Sequence, residues 1–207
     1  MKHLVVLLSL TFTLNFAVIA QAQVLSQNGM DELNPFSEDI ELQLKQMDQD
    51  YEAQTGQQAY DYGISIPQFI GSKSCVQMEC QVYAQVVKSQ QKLYLYINGI
   101  LQTNWDVSTG LPGHETPLLN SHPNGRIYDA YTSTKYPGGD YKGLGNMPYA
   151  VFIKGGFALH GTAESNWSKL GRKASHGCIR SHPDNAQYFN RLVRDAGISN
   201  TWVSVQK

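Results

Sequence analysis

The chain carries little charge and no surplus of either sign: charged residues make up 16%, with 16 Lys and Arg against 17 Asp and Glu, for a net charge of −1. That balance lacks the basic excess needed to neutralise a phosphate backbone or grip an anionic bilayer, so neither nucleic acid nor a membrane surface is an expected partner. There are no internal repeats, and no H-E-x-x-H or other tight ligand spacing stands among the six histidines, so no metal and no cofactor is expected. Cysteine is scarce as well, with three in 207 residues.

An apolar run of nearly membrane length occurs at the start. Lys2 and His3 precede an apolar stretch over residues 4–20, and Ala20-Gln21-Ala22 closes it with small residues in an A-x-A pattern. Ser, Thr and Asn interrupt the run, which is marginal for a bilayer core of roughly 30 Å. It reads as a cleaved secretory signal over residues 1–22 rather than an anchor, with no stable membrane insertion of the mature chain. Export implies an oxidising compartment, where an odd number of cysteines leaves one over. Cys75 and Cys80, five residues apart, are expected to pair, with two free thiols as the alternative. Cys178 is then the remaining thiol.

Residues 23–35 are polar and read as a lead-in. The spacing of Ile40, Leu44, Met47 and Tyr51 predicts a helix over residues 37–55, capped by Ser37, ended by Gly56 and docked by its apolar stripe. Residues 56–74 read as a linker. Strands dominate from Gln81 onward: residues 81–87, 92–97 and 100–107 form an expected meander, with Asn98-Gly99 as a two-residue hairpin turn. Residues 111–146 read as long loops with one strand at most, residues 149–153 and 157–160 as short apolar strands, and residues 202–205 as a last strand. A helix is expected after Ser181, as its cap, to Gly197. The division that follows is residues 1–22, an N-terminal helical and linker segment 23–79, and one β-rich domain over 80–207.

The chemistry concentrates in Ser175-His176-Gly177-Cys178-Ile179-Arg180, with His160 18 positions before the cysteine. A cysteine nucleophile needs a base to form thiolate and backbone N–H groups near the developing oxyanion, which a preceding glycine permits. Cys178 is the candidate nucleophile and His160 the candidate base. His176 shapes the site or serves as the base itself, and the sequence leaves both open. The backbone N–H groups of His176, Gly177 and Cys178 are candidates for an oxyanion hole. Ser175 holds the turn or meets substrate. Arg180 either grips a carboxylate or forms a structural bridge, and Tyr149 and Trp167 either line a groove or pack in the core. His114, His122 and His182 fall in loops.

This constellation resembles the signature of the L,D-transpeptidase catalytic domain, the YkuD-like family: a His, a spacer of fourteen residues here, then Ser-His-Gly-Cys, an apolar residue and Arg. Val107-Ser108-Thr109-Gly110, Thr116-Pro117 and Met147-Pro148-Tyr149 also resemble family pieces, and the likeness spans roughly residues 80–207. Leu118-Leu119-Asn120 stands where the family usually has a glycine soon after Thr-Pro. The resemblance implies a mainly β, sandwich- or barrel-like domain, peptidoglycan stem peptides as partners, and the Gly161 carbonyl as the group that orients His160. It further implies transfer of a stem peptide from Cys178 to an amine, to water, or to a lipoprotein lysine. A papain-like amidase, with its cysteine before the histidine and on a helix, and a non-catalytic wall-binding module are the more distant alternatives.

Overall fold

The computed structural model describes residues 39–56, 75–133 and 139–207. The expected signal, the polar lead-in, Ser37 and residues 57–74 of the linker lie outside these. The elements in chain order are helix α1 (Ile40–Thr55), strands β1 (Val82–Val87), β2 (Lys92–Ile97), β3 (Ile100–Asp106), β4 (Leu119–Ser121), β5 (Val151–Lys154), β6 (Phe157–Gly161) and β7 (Ile179–Ser181), helix α2 (Pro183–Ala196) and strand β8 (Thr201–Gln206). The chain is β-rich, with two sheets. Among the described residues no helix is long and apolar enough to cross a membrane.

The larger sheet has the order β3-β2-β1-β8-β4. Its first three strands form the expected meander. Asn98 (φ 50°) and Gly99 (φ 76°) are both left-handed, as a two-residue hairpin turn that matches strand twist requires. Alternation sends Leu93 and Leu95 into the core while Tyr94 and Tyr96 face the other way. Tyr96 stacks on its cross-strand partner Tyr83 at 5.5 Å. Strand β8 pairs in parallel with β1, so the last strand of the domain is locked beside the first. The core joins Val82, Val86, Leu93 and Leu95 of this sheet to Val151, Leu159 and Ile179 of the smaller one and to Phe189 and Val193 of α2.

The smaller sheet, order β5-β6-β7, carries the motif. All five residues of β6 are buried, a continuous run fitting a strand covered on both faces. Strand β7 was not anticipated. Residues 179–181 were expected to be turn and helix cap, but they pair in parallel with Leu159, His160 and Gly161. Ser181 is therefore inside a strand and fully buried, and the cap of α2 passes to His182, whose Nδ1 accepts from the Asp184 N–H at 3.3 Å. Three residues are too few to show a period of two, which explains why the sequence conceals this strand.

Helix α1 ends as expected at Gly56, which is left-handed at φ 67°. Asp39 occupies the N-cap position without a side-chain capping bond. Leu44 is fully buried and Ile40 packs beside it. The expected stripe is altered one turn on, where the buried inward residue is Asp48. The side chains of Met47 and Tyr51 lie outside the described residues.

Cys75 and Cys80 are joined by a disulfide, and Cys178 is the free cysteine, buried at 1% exposure. Thiol titration of the denatured, unreduced protein is expected to give one thiol, mapped to Cys178; three thiols in protein from an oxidising compartment would contradict the pairing. The bridge closes a short loop, so its reduction should cost less stability than loss of a long-range crosslink.

Candidate active site

Strand pairing brings the candidate base and thiol together. Register sets His160 beside Arg180 and Leu159 beside Ile179. Cys178 stands one residue before β7, in the bend that ends the motif turn, so the pairing that fixes His160 also fixes the segment that carries the thiol. His160 is fully buried, and its Nδ1 is 2.6 Å from the Gly161 carbonyl. A carbonyl oxygen only accepts, so Nδ1 carries the hydrogen and Nε2 keeps the lone pair. That is the tautomer a base acting through Nε2 needs. Gly161 is required by space: a Cβ there would lie 2.9 Å from Pro148 Cγ and from Pro183 Cα.

The segment after β3 clamps the motif from the other side. Ser108 and Arg180 exchange backbone hydrogen bonds at 2.8 and 2.9 Å, Ser175 N donates to Thr109 O at 3.0 Å, and Leu111 N donates to Ser175 O at 2.9 Å. Gly110 is a site of close approach, where a Cβ would fall 1.8 Å from the His114 carbonyl. Its N–H donates to Thr116 Oγ1 at 2.8 Å, and the same hydroxyl donates to the Gly177 carbonyl at 2.7 Å. The peptide is trans and planar, so pinning the Gly177 carbonyl toward Thr116 aims the Cys178 N–H the opposite way. Gly177 has φ 125°, which excludes other residues without strain. The Gly177 N–H donates to Ser175 Oγ at 3.2 Å, and that hydroxyl donates to the Cys178 carbonyl at 2.6 Å.

These contacts separate the candidate residues. Cys178, His160 and Gly177 come together with the motif turn. The Gly177 N–H, one of the expected oxyanion donors, is engaged within the turn, which shifts that expectation toward Cys178 N–H. Ser175 is fully buried with its hydroxyl committed inside the loop, so it braces the turn rather than facing substrate. Arg180 is 8% exposed and donates from Nη1 to the Ala174 carbonyl at 2.9 Å. The Tyr149 ring lies 5.8 Å from the Arg191 guanidinium and packs on the main core. Trp167 donates to the Thr162 carbonyl at 3.0 Å and packs on His182 at 4.3 Å.

Of the loop histidines, His114 reaches the site, with its ring edge-on to His176 at 5.1 Å. His122 lies with Cys75 and Cys80, all ligand atoms within 4.8 Å, but the two sulfurs are bonded to each other. Thr116 was not singled out for a role from the sequence, although Thr116-Pro117 was noted; its signal is a fixed spacing from Gly110, the residue it bonds. Tyr131 was also missed. Burial, followed by the nearness of the acidic groups Cys178 and Asp48, holds its phenol well above the ordinary tyrosine range. It belongs to the apolar cluster that contains Cys178, Tyr128, Met147 and Phe152. Cys178 Sγ contacts the Gly156 carbonyl at 3.5 Å, and because that oxygen only accepts, the thiol is the donor.

Residues 81–205 match the family model YkuD, the L,D-transpeptidase catalytic domain. Among solved structures the chain is similar to an L,D-transpeptidase from Mycobacterium tuberculosis H37Rv, at 22% identity and a TM-score of 0.48, covering 62% of this chain and 58% of that one. It is similar to L,D-transpeptidase 3 from Mycobacterium tuberculosis in complex with a faropenem-derived adduct, at 21% identity and a TM-score of 0.48, covering 62% and 61%. An L,D-transpeptidase from Stackebrandtia nassauensis matches at 20% identity and a TM-score of 0.48, covering 64% and 58%. The chain spans less than two thirds of the length of each. No curated protein sequence matches it.

Gly161→Ala is expected to lower kcat by about ten-fold or more and to cost stability, because the Cβ pushes on Pro148 and the Pro183 backbone and moves the carbonyl that fixes the His160 tautomer. Its signature is an altered pH profile of kcat with little change in KM; an unchanged profile would show that the Gly161 carbonyl does not govern His160.

Proposed function

The chain belongs to the YkuD family of L,D-transpeptidase catalytic domains, and on that premise we propose that it is an exported peptidoglycan L,D-transpeptidase working through a Cys178 thioester. The observation that supports this reading is the parallel register that sets His160 beside Arg180, two residues after Cys178, with the His160 Nδ1 hydrogen held by Gly161. In the proposed reaction His160 Nε2 takes the thiol proton as Cys178 Sγ attacks the carbonyl of the third residue of a tetrapeptide stem. The oxyanion forms on the side toward which Cys178 N–H is aimed. Collapse breaks the peptide bond, and the His160 proton goes to the departing amine, releasing D-Ala. An acceptor amine then loses its proton to His160 and attacks the thioester. The amide forms, the C–S bond breaks, and the thiolate recovers the proton, giving a 3→3 cross-link.

The papain-like alternative loses ground because Cys178 leads into strand β7 rather than a helix. A non-catalytic module would not need the His160 tautomer to be fixed. The same reading takes residues 1–22 as a removable signal, 23–79 as an N-terminal extension and 80–207 as the catalytic domain, acting in the periplasm or at the wall.

Mass spectrometry of muropeptides after incubation with the purified protein tests the reaction. Cross-linked dimers with release of D-Ala are expected; shortened stems alone indicate water as the acceptor, and unchanged muropeptides contradict the proposal. Cys178→Ala should abolish the products with the fold intact. His160→Ala should lower the rate by about two to four orders of magnitude, the range for loss of a general base. If His176→Ala proves the more damaging change, the base has been assigned to the wrong histidine.

A further inference from the structure

Helix α1 adds no strand to either sheet, yet its inward face reaches the cluster that buries the free thiol. Fully buried Leu44 shares that cluster with Tyr128, Tyr131, Phe152 and Cys178, and Ile40 packs against it one turn earlier. One turn later, the carboxylate of Asp48 accepts from Arg126 Nε at 3.2 Å and from the Tyr128 hydroxyl. The Asp48 and Arg126 side chains are 8% and 13% exposed. A buried ion pair is a poor source of stability compared with an apolar contact, because both ions lose their water; its use is to select one docked register.

The other members of the cluster are tied into the domain by backbone. Tyr128 N donates to Ala150 O, Tyr131 N to Leu144 O and Met147 N to Tyr131 O, while Phe152 and Ala158 lie in β5 and β6. Helix α1 joins them through the side chains of Ile40, Leu44 and Asp48. Cys178 is 1% exposed, with its S–H donated to Gly156 O. The thiol is enclosed at 1% exposure, so part of the cluster must move before a substrate carbonyl can approach Sγ. The part held by side chains moves most readily.

We propose that α1 is a displaceable plug over Cys178, and that Arg126 and Tyr128 form a carboxylate receptor which Asp48 fills while the plug is seated. When α1 leaves, a carboxylate of the incoming peptide takes the place of Asp48, so one receptor serves both the closed state and the loaded state. That the incoming group belongs to a peptide stem rests on the function proposed above; the plug itself does not. A guanidinium flanked by a phenol suits a carboxylate, since both groups only need an acceptor opposite them.

The test is the rate at which iodoacetamide alkylates Cys178 in the native full-length protein. This reaction needs no peptide turnover, so its failure is distinct from failure of the transpeptidase assignment. Asp48→Asn and Leu44→Ser are each expected to raise the rate at least ten-fold and to speed hydrogen exchange in residues 40–55, with circular dichroism unchanged. Unchanged alkylation in both variants overturns the plug, as does a fall in alkylation. Should Asp48→Asn fail to fold, Leu44→Ser and the exchange rate of wild-type α1 relative to β6 decide the matter: α1 must open first. In Asp48→Ala no acceptor stands opposite Arg126 and Tyr128, so the receptor is vacant, and N-acetyl-D-alanine should slow alkylation of this variant several-fold while its C-terminal amide does not. Equal effects from the two probes, or none from either, overturn the receptor.

Discussion

The parallel pairing of β6 with β7 is the constraint on which the site depends. It sets His160 against Arg180, two residues after Cys178, and so fixes the base beside the segment that carries the thiol. A parallel pair needs a crossover, and here the residues between Gly161 and Ile179 supply it. The crossover includes the 3-10 turn Glu164–Lys169 and ends in the motif turn itself. The reactive residues are therefore held at both ends by strand hydrogen bonds rather than by a free loop. Fully buried β6 anchors the pair in the core, and α2 follows β7 after a single intervening residue, His182.

A second layer of contacts controls orientation. Thr116 links Gly110 to the Gly177 carbonyl, and Ser175 links the Gly177 N–H to the Cys178 carbonyl. Each bond is a modest contribution of about 1 kcal/mol, but all are buried, where leaving a donor or acceptor unmade costs more than making the bond gains. The result is a turn with one peptide orientation. Lys88 extends the brace by donating to the Thr116 carbonyl at 2.6 Å. Burial, then the like charge of Lys173, lowers its pKa, the sign of an ammonium drawn partly out of water to hold that loop.

Much of this was legible in the sequence, for identifiable reasons. The meander was readable because Asn98-Gly99 specifies a turn and the strand before it alternates between buried Leu93 and Leu95 and outward Tyr94 and Tyr96. The Cys178 motif was readable because residues 175–180 compress its chemistry into adjacent positions, with His160 18 positions before the cysteine. Strand β7 was not, since three residues carry no period and Ser181 followed by Pro183 reads as a helix start. Arg180 was read as gripping a carboxylate or forming a structural bridge and Ser175 as holding the turn or meeting substrate; their burial and their bonds to the Ala174 and Cys178 carbonyls are visible only in the structure. Asp48 was invisible as an inward residue, because a carboxylate in an apolar stripe makes sense only beside Arg126 and Tyr128, some 80 positions away.

The central claim is that Cys178, ordered opposite His160, forms a covalent bond to the donor peptide. Intact-protein mass spectrometry, with a tetrapeptide stem and no acceptor amine, tests it most directly. The account predicts a mass gain equal to the tetrapeptide minus D-alanine, localised by digestion to the peptide containing Cys178 and removed by hydroxylamine, as befits a thioester. Release of D-alanine with no adduct at any time point, or an adduct on another residue, would contradict it.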